Sequence, residues 1–274
     1  MSCTFINRAN AVQESDHSFS DVTPNHNLKP ALNALEICIC FEVSETQKRM
    51  ELVVMKFLVF LGSIRESTPP RPARLGSRVS FACESLLKKI YPKHNVEIID
   101  PLTLDLGEIF KPEFAYSRKQ VPADLKQLAD KIAEADGYVM VSPEYNHSMS
   151  PALAHLLNHF GSSLFSYKPS AIVTYSAGQW GGARAAVSMR TFLSELGCLP
   201  VSAMIHIPNA AKVFNDEGKA HSEEAQKEWD SYMNRTMAQL VWWAEGAKQQ
   251  RENLDPNSLI EAFQRDPSQR NAPK

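Results

Sequence analysis

Glu144, Tyr145, Asn146 and His147 follow Pro143 without interruption, setting a carboxylate, a phenol, an amide and an imidazole side by side. A carboxylate next to an imidazole can move protons. A phenol next to an amide can instead shelve a planar ligand, the aromatic face stacking and the amide bonding a ring edge or a hydroxyl. Glu144 can equally be a solvated loop residue and His147 a helix cap. A second set, Ser63, Arg65 and Ser67, follows Gly62 and is extended by Arg71 and Arg74. Hydroxyls, guanidinium groups and unpaired N–H groups at a helix start make a site for an anion such as phosphate. The competing possibility is that the serines are caps and the arginines solvated surface. The third set is Ser176, Gly178, Gly181 and Gly182, where glycine lets backbone N–H groups approach a ligand closely. A plain turn needs fewer glycines than this loop holds. Trp180 within it suits a pocket wall, a packed surface or a subunit contact.

Each set sits where an apolar run gives way to a helical pattern. Residues 52–61, 96–100, 137–141, 171–175 and 199–207 read as five strands. Helical spacing follows at residues 75–90 (Leu75, Val79, Phe81, Leu86, Leu87), 122–135, from Pro151, at 183–196, and from about Ser222 through Trp229, Met233, Met237, Leu240 and Val241. Strands alternating with helices predict an α/β fold, a five-stranded parallel sheet covered on both faces in the flavodoxin-like order 2-1-3-4-5. In that order the carboxyl ends of strands one, three and four meet at one crevice, which is where the three sets fall.

The sequence has 274 residues, 43% hydrophobic and 22% charged, which suits one domain with tails. We expect that domain at residues 51–250, flanked by a disordered extension at 1–50 and a disordered tail at 251–274. Met50 and Met55 are alternative starts just before the first strand. A net charge of −2 argues against nucleic acid or an anionic membrane as partner. Five scattered cysteines make no disulfide framework and Cys38-x-Cys40 no zinc motif, so no metal site and a reducing, cytoplasmic compartment are expected. No run reaches the roughly 18 to 20 apolar residues of a membrane span, and no signal peptide is evident.

Taken together, Gly62-Ser63-Ile64-Arg65, Pro143-Glu144-Tyr145-Asn146 with Pro151-Ala152-Leu153, and Ser176-Ala177-Gly178 with Gly181-Gly182 resemble the NADPH-dependent FMN reductase family, flavodoxin-like NAD(P)H:quinone and flavin reductases. The resemblance spans about residues 55–207. It implies bound FMN, with NADPH or NADH as co-substrate and a quinone or free flavin as acceptor in a ping-pong cycle. By position, Ser63, Arg65 and Arg74 would hold the phosphate. Pro143, Glu144, Tyr145 and Asn146 would line the ribityl chain and ring, and Ser176, Gly178, Gly181 and Gly182 the pyrimidine side. The insertion at residues 66–72 departs from the family pattern and leaves Arg71 and Arg74 in competition for the phosphate. No general base is implied, since the cofactor carries the chemistry. A homodimer or homotetramer is implied, with the helix after Pro151 as an interface element. A flavin-binding redox sensor is the rival. A one-electron flavodoxin is disfavoured by the arginines, a hydrolase by the lack of G-x-S-x-G, and an iron–sulfur flavoprotein by the lack of a cysteine cluster.

Overall fold

The apolar run ending at Leu61 becomes strand β1 (Lys56–Leu61), whose residues after Lys56 are all buried. A strand buried on both faces belongs inside a parallel sheet. In the computed structural model, which describes residues 54–67, 74–117 and 119–259, β1 lies between β2 (Asn95–Ile99) and β3 (Gly137–Pro143). Beyond β3 comes β4 (Pro169–Tyr175), and all pairings are parallel. The extension at 1–50, Met50, Cys38-x-Cys40, Arg71 with most of its insertion, and the tail from 260 lie outside the described residues.

The sheet order is β2-β1-β3-β4-β5, as the alternating pattern predicts, but the outermost position differs from the expected single strand at 199–207. Two short segments, β5 (Leu199–Pro200) and β6 (Ile205–Ile207), both pair with β4, so among the described residues the sheet has six strands and not five. Pro200 brings no N–H to a ladder, which confines it to an edge or a break. The carbonyls of Val201 and Ser202 then turn to the Arg190 guanidinium, and Ala203 N–H to the Gln239 side chain.

Alternate residues of each strand feed two cores. On one face Phe57, Val59, Val139 and Val173 pack with α1 (Leu75–Ile90) and α7 (Glu223–Asn253). On the other, Phe60, Tyr138, Met140 and Ile172 pack with α2 (Ala123–Glu134), α3 (Pro151–Asn158), α4 (Ser162–Phe165) and α5 (Ala183–Glu195). A short α6 (Ala210–Val213) follows β6. The result is three layers, α/β/α. The predicted stripe of α1 is corrected at one position: Phe81 is exposed, and Ala82 and Cys83 take the buried turn between Val79 and Leu86.

Register brings the site together. Leu61 pairs with Val141, Pro143 with Tyr175, and Tyr175 with Ile207, so the loops leaving β1, β3 and β4 emerge side by side.

Candidate functional site

A cleft of about 240 Å³ opens at these carboxyl ends, lined by Ser63, Arg65, Arg74, Leu75, Pro143, Glu144, Tyr145, Tyr175, Ser176 and Ala177. A larger groove, about 750 Å³, lies beside Trp242 and Trp243 of α7 where β4 and β5 begin. Open α/β sheets bind ligands at the carboxyl ends, so the smaller cleft is the candidate.

The first loop begins with a close backbone approach. Gly62 N–H donates to the Val141 carbonyl at 2.7 Å, and a Cβ on Gly62 would stand 2.4 Å from that same oxygen. Ser63 follows, buried, its hydroxyl accepting from Arg65 N–H at 3.3 Å and bonding the Tyr175 phenol. Burial pushes the Tyr175 phenol pKa up, so the group stays a neutral hydrogen-bonding hydroxyl. Arg65 is exposed and donates from Nε to the Tyr145 hydroxyl at 3.2 Å, joining the first loop to the second.

Arg74 is buried and largely engaged. It donates from Nη1 to the Ser63 carbonyl at 2.9 Å, from Nε to Ser77 Oγ at 2.9 Å, and pairs through Nη2 with Asp100 at the end of β2. A guanidinium has five N–H donors. Among the described residues two therefore remain, and Arg74 lines the cleft, where α1 also presents its first turn at Leu75.

In the second loop Tyr145 and Ser148 exchange backbone hydrogen bonds of 2.9 and 2.8 Å, closing a hairpin with Asn146 and His147 at its tip. Both tip residues have positive φ, 48° and 64°, a conformation that asparagine tolerates well. Asn146 and His147 are exposed and neither lines the cleft. Glu144 points inward. Its Oε1 lies 3.6 Å from Arg184 Nη1 and 3.8 Å from His147 Nε2, and its Oε2 is buried with no hydrogen-bond partner among the described residues. Ser150 anchors the loop behind: its hydroxyl donates to the Gly62 carbonyl at 2.6 Å and accepts from Leu153 N–H at 3.1 Å, capping α3.

In the third loop the Ser176 hydroxyl donates to the Gly178 carbonyl at 2.8 Å and accepts from Gly181 N–H at 2.9 Å, so Ser176 shapes the loop. Gly181 and Gly182 have φ of 60° and 76°, and a Cβ on Gly182 would stand 2.8 Å from Thr174 Cβ. Gly178 differs, because a Cβ there would meet no atom within 4 Å. Trp180 is exposed and stacks under the Arg184 guanidinium at 5.0 Å.

The cleft walls thus include Ser63, Arg65, Arg74, Pro143, Glu144, Tyr145 and Ser176, while Asn146, Gly178, Gly181 and Gly182 stand outside that lining. Tyr175, Leu75 and Ala177 are additions to that lining, and Arg184 stands behind it against Glu144. Only the position of Tyr175 at the end of an apolar run, just before Ser176, could have signalled it. Chemically, one wall offers donors (Arg65, Arg74 and the first turn of α1) and the other an unsatisfied acceptor (Glu144 Oε2). A ligand with an anionic end and a donor-bearing end satisfies both. FMN has that polarity, with a phosphate at one end and ribityl hydroxyls and a ring N–H towards the other.

The family model for NADPH-dependent FMN reductase matches residues 55–212. An NAD(P)H-dependent FMN reductase of Pseudomonas aeruginosa is 28% identical over 158 residues, 56% of this chain and 83% of that protein. A quinone reductase of Pseudomonas putida is 31% identical over 178 residues, 62% of this chain and 87% of the relative. Among solved structures, FerB, a flavoenzyme NAD(P)H:(acceptor) oxidoreductase from Paracoccus denitrificans, superposes with a TM-score of 0.52 at 20% identity. The match covers 71% of this chain and 99% of that one.

Proposed function

Because the chain belongs to the NADPH-dependent FMN reductase family, we propose that it is an FMN-dependent NAD(P)H oxidoreductase whose acceptor is a quinone, free flavin or similar small molecule. The observation that carries this is the polarity of the cleft: cationic and N–H donors on one wall, the orphaned Glu144 Oε2 on the other. Its volume lies below the usual range for an enclosed ligand site, which suits a cofactor held by one end with its ring left accessible.

When bound, FMN supplies two-electron chemistry, so that NAD(P)H, a proton and a quinone give NAD(P)⁺ and a hydroquinone. The protein's share is orientation. Arg65 and the free N–H groups of Arg74 neutralise the phosphate, and Ser63 is fixed between Tyr175 and Arg65 N–H. Glu144 Oε2 accepts from a ligand hydroxyl or ring N–H, which removes the cost of a buried unpaired oxygen. Gly178 leaves open space beside its backbone for close approach. Asn146 at the hairpin tip borders the open side, and Gly181 and Gly182 hold the third loop in shape. No side chain is assigned as a general base, since the two-electron step needs none from the protein.

The same proposal includes a homodimer or homotetramer, supported by the exposed apolar side chains of Ile64, Trp180 and Val187 around the cleft and α5. A cytoplasmic site of action is supported by two free buried cysteines, Cys83 and Cys198. Among the described residues no helix is long and apolar enough to cross a membrane. Neither a membrane nor, given the net charge of −2, nucleic acid is proposed as a partner.

The test is the visible spectrum of the purified full chain before and after adding FMN, followed by NAD(P)H oxidation with a quinone. Flavin bands that stay with the protein through gel filtration, and turnover near the enzyme median of about 10 per second, are expected. Failure to retain FMN overturns the proposal. Retention with turnover below about 0.1 per second favours a flavin-binding redox sensor instead.

A further inference from the structure

The third loop rests on β6 and the turn after it. A Cβ on Gly181 would stand 3.1 Å from the backbone nitrogens of Ile207 and Pro208. Backbone hydrogen bonds tie the same surfaces together: Ser176 N–H donates to the Ile207 carbonyl at 3.1 Å, Ala210 N–H to the Ser176 carbonyl at 3.0 Å, and Asn209 N–H to the Gly178 carbonyl at 2.8 Å. A side chain of β6 joins this contact. His206, half-buried and beside Thr174 in the sheet register, brings its Nδ1 to 2.9 Å from Thr174 Oγ1. Tyr232 of α7 holds the residue in place, its hydroxyl accepting from His206 N–H at 3.0 Å.

The proton directions follow from the partners. Thr174 Oγ1 lies 2.8 Å from the Gly181 carbonyl and 3.4 Å from that of Ile205, and a carbonyl can only accept. The hydroxyl proton is therefore spent on a carbonyl, so Thr174 accepts from His206, whose Nδ1 carries a proton in the neutral and the protonated ring alike. The N–H arriving on one lone pair of the oxygen strengthens the O–H bond that leaves it and favours Gly181, the nearer carbonyl, over Ile205. Gly181 N–H in turn donates to Ser176 Oγ at 2.9 Å, and the Ser176 hydroxyl to the Gly178 carbonyl at 2.8 Å. The series of hydrogen bonds thus starts at an imidazole outside the cleft lining and ends at Ser176 on the cleft wall and at Gly178, whose backbone lies open.

We propose that His206 is a positioning residue for the flavin: through Thr174 it fixes the third loop in the shape that meets the pyrimidine side of FMN. This rests on the FMN reading of the cleft. Without the His206 N–H, the Thr174 hydroxyl is free to turn to Ile205 and release the Gly181 carbonyl.

The experiment compares His206→Asn with His206→Gln in the full chain. The asparagine amide nitrogen stands as many bonds from Cβ as Nδ1 does and can donate to Thr174, whereas glutamine carries its amide one atom further out. His206→Gln is expected to raise the FMN dissociation constant about fivefold, the net worth of one hydrogen bond. It is also expected to shift the midpoint potential of bound FMN, which responds to the hydrogen bonds around the ring. His206→Asn is expected to keep both at their wild-type values. In the FMN-free protein the Gly181 amide should exchange its hydrogen faster in His206→Gln and at the wild-type rate in His206→Asn. A merely structural role would lower the melting temperature without moving the potential. Wild-type FMN affinity and potential in His206→Gln, or equal losses in the two variants, overturn the proposal. A wild type that retains no FMN overturns the reading of the cleft and this proposal with it, and the exchange rates then show separately whether His206 holds the loop.

Discussion

Gly178 and Gly182 stand four residues apart in one loop and are small for different reasons. Gly182 has a left-handed φ of 76°, and a side chain would also press on Thr174. Gly182→Ala should therefore destabilise the protein by about 1–3 kcal/mol, measured by urea denaturation, whether or not FMN is present. Gly178→Ala meets open space. It should leave the apoprotein's stability unchanged and weaken FMN binding, and an unchanged FMN affinity would show that no ligand approaches that backbone. Arg65 offers a matching contrast, since it is exposed and, among the described residues, its guanidinium bonds the Tyr145 hydroxyl. Arg65→Ala should weaken FMN about tenfold, toward the lower end of a charge-assisted hydrogen bond because solvent screens it, and fluorescence titration with FMN reads this directly. Residue types were legible here where glycine, proline and polar residues cluster outside apolar runs. Tyr175 was not, because a tyrosine ending a buried strand looks like core, and its bond to Ser63 comes from a residue over a hundred positions earlier. The Arg74–Asp100 pair was hidden for the same reason: nothing local links α1 to the end of β2.

At the scale of elements, the loops behave as one unit because α3 is capped by a residue that also holds β1. Ser150 N–H donates to Ser142 Oγ at 2.9 Å, while its own hydroxyl reaches both Leu153 N–H and the Gly62 carbonyl. Ser150→Ala removes an N-cap and leaves a buried carbonyl without that partner. A loss of about 1–3 kcal/mol is expected. Since the Gly62 carbonyl precedes Ser63, FMN affinity should fall with it, and Ser150→Thr should restore much of both; a stability loss with FMN binding intact would separate the cap from the site. Three of the five predicted strands, those that become β1, β3 and β4, were legible as buried runs of parallel-sheet type, and β2 as a short alternating run suited to the sheet's edge. The fifth was legible only in part. Residues 199–207 form a continuous apolar pattern apart from Ser202 and His206, yet the capture of two carbonyls by Arg190 breaks it into β5 and β6. Periodicity reports burial, and a side chain eleven positions upstream can redirect the backbone without changing it.

For the whole molecule, a buried histidine, His94, and a half-buried one, His206, couple stability to pH from places outside the cleft lining. His94 sits below the sheet's opposite end, its Nδ1 accepting from Met55 N–H at 3.4 Å, and burial lowers its pKa, with Lys93 adding to the effect and Asp136 opposing it. His206 on β6 is likewise lowered, by burial first and then by Arg235. Below the ordinary histidine value of about 6.5 the unfolded chain takes up protons that the folded protein resists, so folding stability is full above that pH and declines beneath it. For His94 the proton would also displace the Met55 N–H that ties the start of β1 to the sheet's edge. The urea midpoint is expected to be flat from about pH 8 to 7 and to fall by about pH 5.5, before most carboxylates titrate. His94→Gln should reduce that slope even if it lowers stability at pH 7, because the group that the unfolded chain protonates is gone. A slope identical in wild type and variant would mean that the titrating groups lie elsewhere, and a double variant with His206→Gln would then show whether β6 carries them.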